Sequence, residues 1–296
     1  MFYLAIVSLI WGFSFGLVGN VLSGVNPFLV ATMRLACASL VFLPFLRLRF
    51  IGFNQSFYLI RCGFIQFGLM YVFYMKAFEY LPSHLVALFS VMTPFYVVLI
   101  NDIRRRKISA RYFLVALLSV IGAGVINMQN FPSEGIWFGF FLMQMAGICF
   151  AFGQISYKDW KKLYPQVKDI SVFGLLTLGG TVSAGLFTLI FIDSSMLSIT
   201  RTQMQAILYL GIVASGLGFF LWNKGATKTE AGTLAAFNNA VVPIAVFISL
   251  FVFGEISNVV IDDIMKLLTG SILILIAVIV SLSKKNESEK IDCKRI

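Results

Sequence analysis

Residues 83–101 read SHLVALFSVMTPFYVVLIN, and residues 232–250 read GTLAAFNNAVVPIAVFISL. Each run is apolar over the roughly 20 residues that a helix needs to cross the hydrocarbon core of a bilayer. Each holds one proline near its middle, Pro94 and Pro243, 149 positions apart. Sliding the chain by that offset also carries Ala77 onto Ala226, Ala87 onto Ala236 and the pair Phe73-Tyr74 onto Trp222-Asn223, and it brings Gly122 within one position of Gly270. Self-similarity over half a chain is the mark of an internal repeat.

Eight further apolar stretches surround these two. Together they give ten candidate spans: 3–22, 27–46, 57–78, 83–101, 112–129, 136–157, 171–192, 203–223, 232–253 and 265–283. The weakest cuts fall at Leu81-Pro82-Ser83 and around Thr227–Gly232. Lipid cannot satisfy bare backbone groups, so spans this long and continuous are expected as helices rather than barrel strands. The first span has no basic residue before it and only Ser23-Gly24 as a poor cleavage site, so it is expected to be retained rather than removed as a signal peptide. The fold class expected is an all-α polytopic membrane protein of ten transmembrane helices. Each half holds five spans, an odd number, so the second half would enter the membrane in the opposite sense. Residues 1–130 form the first repeat, 131–283 the second, and 284–296 a charged tail.

Composition agrees with this reading. Of 296 residues, 59% are hydrophobic and 12% charged, the latter about half the share usual in soluble domains. A water-soluble enzyme, a disulfide scaffold and a disordered chain are excluded. The net charge of +10 is explained by short basic loops, which set orientation, without recourse to nucleic acid. With the N-terminus in the cytoplasm, nineteen of the 23 Lys and Arg fall in inside loops and the tail, and three (Lys76, Arg201, Lys266) fall outside. Both termini are therefore expected in the cytoplasm. The four cysteines form no CxxC pair, and the single histidine, His84, gives no metal-ligand cluster, so they are read as packing and interfacial residues.

Enzyme motifs are missing: there is no phosphate-binding glycine loop and no HExxH. No Asp or Glu lies near a span centre, which weakens obligate proton coupling. No catalytic residue, metal or cofactor is expected. A lipid-modifying membrane enzyme would need His, Asp and Glu clustered at one interface, and these are scattered.

Several residues stand out as candidates for a transport site. Arg34 lies seven residues into a span, roughly 10 Å deep at 1.5 Å per residue. A charge there faces a cavity or a partner; it reads either as an anion-recognising or gating residue, or as a structural arginine bonding helix-end carbonyls or reaching to the outer interface. Phe64, Phe67, Tyr71, Tyr74 and Phe78 recur at helical spacing, and the hydroxyls of Tyr71 and Tyr74 argue for a cavity face or a packed face, against lipid. Pro94 and Pro243 each remove a backbone hydrogen bond and read as hinges. Asn238 and Asn239 place two uncharged amides in the membrane, for a polar metabolite or for helix bridging. Gly12 and Gly16, and Gly135 and Gly139, form GxxxG pairs that allow close helix approach.

Trp11-Gly12-Phe13-Ser14-Phe15, then Arg34-Leu35-Ala36, Ala77 followed by Pro94, and Pro243 followed by Gly254-Glu255 and Gly270, resemble the EamA family of the drug/metabolite transporter superfamily. The resemblance covers residues 3–283. One departure is visible: Gly254-Glu255 aligns with Arg105-Arg106 in the first half. The resemblance implies two inverted five-helix repeats in a bacterial cytoplasmic membrane and movement of small metabolites. It adds Trp11, Ser14, Gln154, Tyr157 and Trp222 as residues on helices around the central cavity. The first expectation is export of a small amphipathic metabolite, an amino acid or related compound, by a carrier that rocks about a midplane site. The alternative is import of a vitamin or nucleotide-derived metabolite. Partners expected are that small molecule and the lipid bilayer, with no nucleic acid; the sequence sets no oligomeric state, and a monomer is compatible with it.

Overall fold

Asn26 caps the second helix by accepting from the N–H groups of Phe28 and Leu29, and Pro27 fills the first helical position, where no N–H is needed. Thr200 caps the seventh helix in a similar way in the computed structural model, which describes residues 2–106, 135–191 and 198–254, plus isolated positions at 114, 117, 118, 121, 265, 268–270, 272, 273 and 276. The expected spans 112–129 and 265–283, the junction near residue 130 and the tail 284–296 lie outside the continuously described residues.

Eight helices fill the described segments. They are α1 (Phe2–Val21), α2 (Pro27–Phe45), α3 (Phe53–Ala77), α4 (Ser83–Arg105), α5 (Ile136–Leu163), α6 (Phe173–Phe191), α7 (Arg201–Thr227) and α8 (Ala231–Phe247). A π turn, Ile248–Val252, continues α8. The first seven are long and apolar enough to cross a membrane by length and composition. Both weak cuts are real breaks, at the turn before Ser83 and at the turn before Ala231. The protein is an all-α polytopic membrane protein. Its exposed large side chains are largely apolar, such as Phe2, Leu40, Trp137, Leu189 and Ile190, as a lipid-facing surface requires.

Contacts between helices fix their directions. Gly12 and Gly16 of α1 lie against Ile244 and Phe253, so α1 runs parallel to α8. Ser83–Ser249 and Asn239–Val91 contacts make α8 antiparallel to α4. Tyr96–Gln144 and Arg104–Ser156 bonds make α4 parallel to α5. Hence α1 and α5 run in opposite senses. Thr32–Thr188 and Ser39–Thr181 bonds make α2 antiparallel to α6. Much of the packing recurs under exchange of halves: α1 packs on α7 and α8 as α5 packs on α3 and α4, and α2 packs on α7 as α6 packs on α3, whereas the α2–α3 contact has no comparable α6–α7 counterpart among the described residues. This is inverted packing, with α1–α4 and α5–α8 as counterparts.

Two π-helical segments, Phe64–Leu69 in α3 and Leu210–Leu217 in α7, sit at overlapping positions under the 149-residue offset. The two prolines differ locally. In α4 a 3₁₀ turn at Ser90–Met92 ends one helical piece, and Pro94 lies in the first turn of the next, where its missing N–H removes no helical bond. Pro243 lies inside an unbroken α-helix. The expectation that both remove a helical bond is therefore corrected for Pro94. Gly135, expected to form a helix-packing GxxxG, instead caps α5 with φ of 80°. Gly139 packs against Leu81.

One end of the bundle gathers Phe2, Phe45, Phe53, Arg105, Leu163, Phe173, Thr227 and Ala231. It carries Arg47, Arg49, Arg61, Arg104, Arg105, Lys161, Lys162, Lys168, Lys224 and Lys228. The opposite end gathers Val21, Pro27, Ala77, Ser83, Ile136, Phe191 and Arg201, with Lys76 paired to Glu79 at 2.5 Å.

Candidate functional site

A cavity lies from the middle of the bundle towards the Val21 end, with about 680 Å³ of open space, its mouth included. Trp11, Ser14, Phe15, Arg34, Tyr71, Tyr74, Phe150, Phe219 and Asn238 form much of its wall, and Thr93 and Ser90 face it from the broken turn of α4. Its counterpart helices contribute from both halves.

Arg34 is the one charged side chain on this wall among the described residues, and only 2% of its surface is exposed. Its Nη2 donates to the Tyr71 hydroxyl at 2.6 Å, its Nε to Ser215 Oγ at 3.3 Å, and its Nη1 to the Met75 sulfur at 3.7 Å. The guanidinium carbon sits 4.5 Å from the centre of the Tyr71 ring. The Tyr71 and Ser215 hydroxyls are 2.9 Å apart, and Ser215 donates to the Leu210 carbonyl at 2.8 Å. The directional chain is guanidinium to phenol to serine to backbone. It depends on the π segment of α7, which turns Ser215 towards α2 and α3. A guanidinium has five N–H donors; three are used, one of them only by sulfur, and two remain. No carboxylate pairs with Arg34 among the described residues. A buried cation without an ion partner is costly unless something completes it.

Trp11 donates its indole N–H to the Ala214 carbonyl at 2.9 Å, again in the π segment. Its ring packs on Phe150, Phe219 and Trp222, with centroids 4.8 to 5.7 Å apart. Asn238 spends one amide N–H on the Leu234 carbonyl at 2.9 Å and lines the cavity.

Below Trp11, towards the Phe2 end, polar clasps close the bundle. The Trp222 indole donates to Gln154 Oε1 at 2.9 Å. Gln66 and Asn223 exchange two amide bonds, of 2.8 and 3.3 Å. Tyr157 donates to Asp169 at 2.6 Å, and Lys158 reaches the Thr229 carbonyl.

The structure therefore brings Trp11, Ser14, Arg34, Tyr71, Tyr74 and Asn238 together on one wall. Gln154 and Trp222 lie beneath them, in the closing layer, and Tyr157 lies lower still, at the α5–α6 connection. Asn239 points away from the cavity and bridges to the broken turn of α4 through the Val91 carbonyl at 3.1 Å. Pro94 and Pro243 do not line the cavity. Sequence reasoning missed Thr93, Met143, Phe150, Phe219 and the Ser215 and Gln66 partners. Asn223 was visible only as the position matching Tyr74.

The family model for the EamA-like transporter family matches residues 1–128. The chain is 36% identical over 257 residues to the "Biotin transporter" of Salmonella typhimurium, covering 86% of this chain and 85% of that one. It is 35% identical over 257 residues to the "Biotin transporter" of Escherichia coli, with the same coverage of 86% and 85%. It is 36% identical over 259 residues to the "Probable biotin transporter" of Pseudomonas aeruginosa, covering 86% and 90%. A solved crystal structure matches the fold with a TM-score of 0.72 at 16% identity, over 94% of this chain and 95% of that one. With these relatives and this fold, the chain belongs to the EamA-like transporters.

Proposed function

We propose that the protein imports a carboxylate-bearing vitamin of the biotin type by alternating access at the Arg34 cavity. The observation that carries this reading is Arg34: a buried guanidinium with two unspent N–H donors on an otherwise uncharged wall. A carboxylate matches it in geometry and charge, because guanidinium binds carboxylates through paired N–H donors. Biotin carries one carboxylate on an apolar chain, and a polar ureido ring at the other end. Trp11, Phe150 and Phe219 suit the apolar part, and Asn238, Ser14 and Thr93 suit the ureido group. The relatives' names favour the same molecule. An amino acid, the first expectation from the sequence, fits less well. Its ammonium would need an acidic partner, and the described wall offers none.

The test is uptake of radiolabelled biotin into proteoliposomes. Saturable uptake, competed by unlabelled biotin and not by tryptophan, is expected. No biotin uptake above empty liposomes, with flux of an amino acid instead, would overturn the reading.

A further inference from the structure

The 149-residue offset carries Gln66 onto Ser215 and Tyr74 onto Asn223. The Gln66–Asn223 pair closes the Phe2 end with two amide bonds. Its counterpart in the exchanged halves is the pair Ser215 and Tyr74, nearer the Val21 end. Here that counterpart is unmade. Tyr74 lines the cavity, and its hydroxyl has no hydrogen-bond partner among the described residues. Ser215 is instead held by Tyr71, Arg34 and the Leu210 carbonyl.

We propose that Tyr74 and Ser215 form the latch that closes the Val21 end of the cavity when the Gln66–Asn223 pair parts. Inverted packing makes the two ends alternatives: what one half does at one end, the other half does at the opposite end. Lone-pair accounting adds a condition. A serine hydroxyl has one proton and two lone pairs. The Ser215 proton goes to the Leu210 carbonyl, and its lone pairs take the Tyr71 hydroxyl and the Arg34 Nε. In the state shown no acceptor site is left for Tyr74, so closure has to break one of these bonds. The Arg34 contact, at 3.3 Å, is the longest of the three. A carboxylate held by the two unspent Nη–H donors draws the guanidinium off this longest contact and frees a lone pair for Tyr74, so substrate favours closure. This last step rests on the carboxylate reading above; the latch itself does not.

The test uses the full-length protein in liposomes, with its native cysteines replaced and one reporter cysteine placed at Ser90. A membrane-impermeant maleimide is applied from the Val21 side. Without ligand, Asn223→Ala weakens the Phe2-end pair and should lower labelling about fivefold, the change one hydrogen bond is worth. Adding Tyr74→Phe removes the opposing latch and should return labelling to the wild-type level. Tyr74→Phe alone keeps the ring and should melt like wild type, which separates loss of the latch from loss of the fold. If Asn223→Ala/Tyr74→Phe labels as weakly as Asn223→Ala, the latch is wrong whatever the substrate. The second arm adds biotin or its neutral amide. Biotin should lower labelling of wild type more than of Tyr74→Phe, and the amide should affect neither. Equal protection of both proteins by biotin overturns the carboxylate step, because it is then simple shielding. No protection by biotin, with the ligand-free arm as expected, overturns the carboxylate step together with the vitamin reading and leaves the latch standing.

Discussion

Arg34 poses two questions that one substitution separates. A structural arginine and a substrate-binding arginine both lose function when removed, but they differ in what they do to stability. In this fold the guanidinium meets two hydroxyls and a sulfur, with no ion partner among the described residues. Replacing an uncompensated buried charge with an apolar side chain of similar length is often neutral or stabilising. Arg34→Met is therefore expected to melt at the wild-type temperature or above it, while biotin binding weakens by about 10- to 100-fold, the 1.5–3 kcal/mol of a charged hydrogen bond. Thermal melts and equilibrium binding on the same purified sample read both. A drop of many degrees would return Arg34 to a structural role. At this scale the sequence was informative where chemistry is costly in lipid: Arg34, Tyr71, Tyr74 and Asn238 stand out as polar groups in apolar runs and do reach the cavity. Phe150, Phe219 and Met143 were illegible, because an apolar residue on an apolar helix carries no mark of which neighbour it faces. Ser215 was illegible for a second reason. The π segment from Leu210 to Leu217 rotates everything after it out of 3.6-residue phase, so periodicity misreads the face.

Among the glycines of the described helices, Gly63 of α3 and Gly179 of α6 lie nearest to the backbone of a neighbouring helix. A methyl at Gly63 would stand 1.9 Å from the Leu176 carbonyl oxygen, and one at Gly179 would stand 2.0 Å from the Ile60 carbonyl oxygen. Both clashes are with backbone, which cannot rotate away. Gly185, on the same α6, would place its methyl 3.9 Å from a Thr32 methyl, an ordinary contact. Alanine is the better helix former by about 1 kcal/mol, and overpacking costs about 1–3 kcal/mol. Gly63→Ala and Gly179→Ala should therefore lower the melting temperature, and Gly185→Ala should hold or raise it. Equal melting of all three would mean that the α3–α6 contact is not a constraint. The broken turn of α4 and the continuous α8 divide the proline pair in the same local way. Pro94 removes no helical bond where it stands, and the break in α4 is the 3₁₀ turn before it. Span existence and order were readable from hydropathy, since bilayer thickness sets a minimum length. The non-α turns were not, because they depend on side-chain packing between halves rather than on composition.

For the molecule as a whole, orientation and the state captured here are linked. Basic residues in short loops stay on the cytoplasmic side. The folded chain gathers Arg47, Arg49, Arg61, Arg104, Arg105, Lys161, Lys162, Lys168, Lys224 and Lys228 at the Phe2 end, and it leaves Lys76 and Arg201 at the Val21 end. Moving that many cations across a membrane during insertion is the costlier alternative, so the Phe2 end is expected to face the cytoplasm. In that orientation the layer of Gln66, Asn223, Gln154 and Trp222 would seal the cytoplasmic side and the cavity would lie towards the outside, the state from which the proposed importer would load. Single cysteines in a cysteine-free background test this in intact cells. A cysteine at Gln166, in the α5–α6 connection, should be labelled by an impermeant maleimide only after the membrane is opened. A cysteine at Tyr80, in the turn between α3 and α4, should be labelled at once. The reverse pattern would turn the cavity towards the cytoplasm. The same Arg34 site would then load from inside, and the geometry would favour an exporter over an importer.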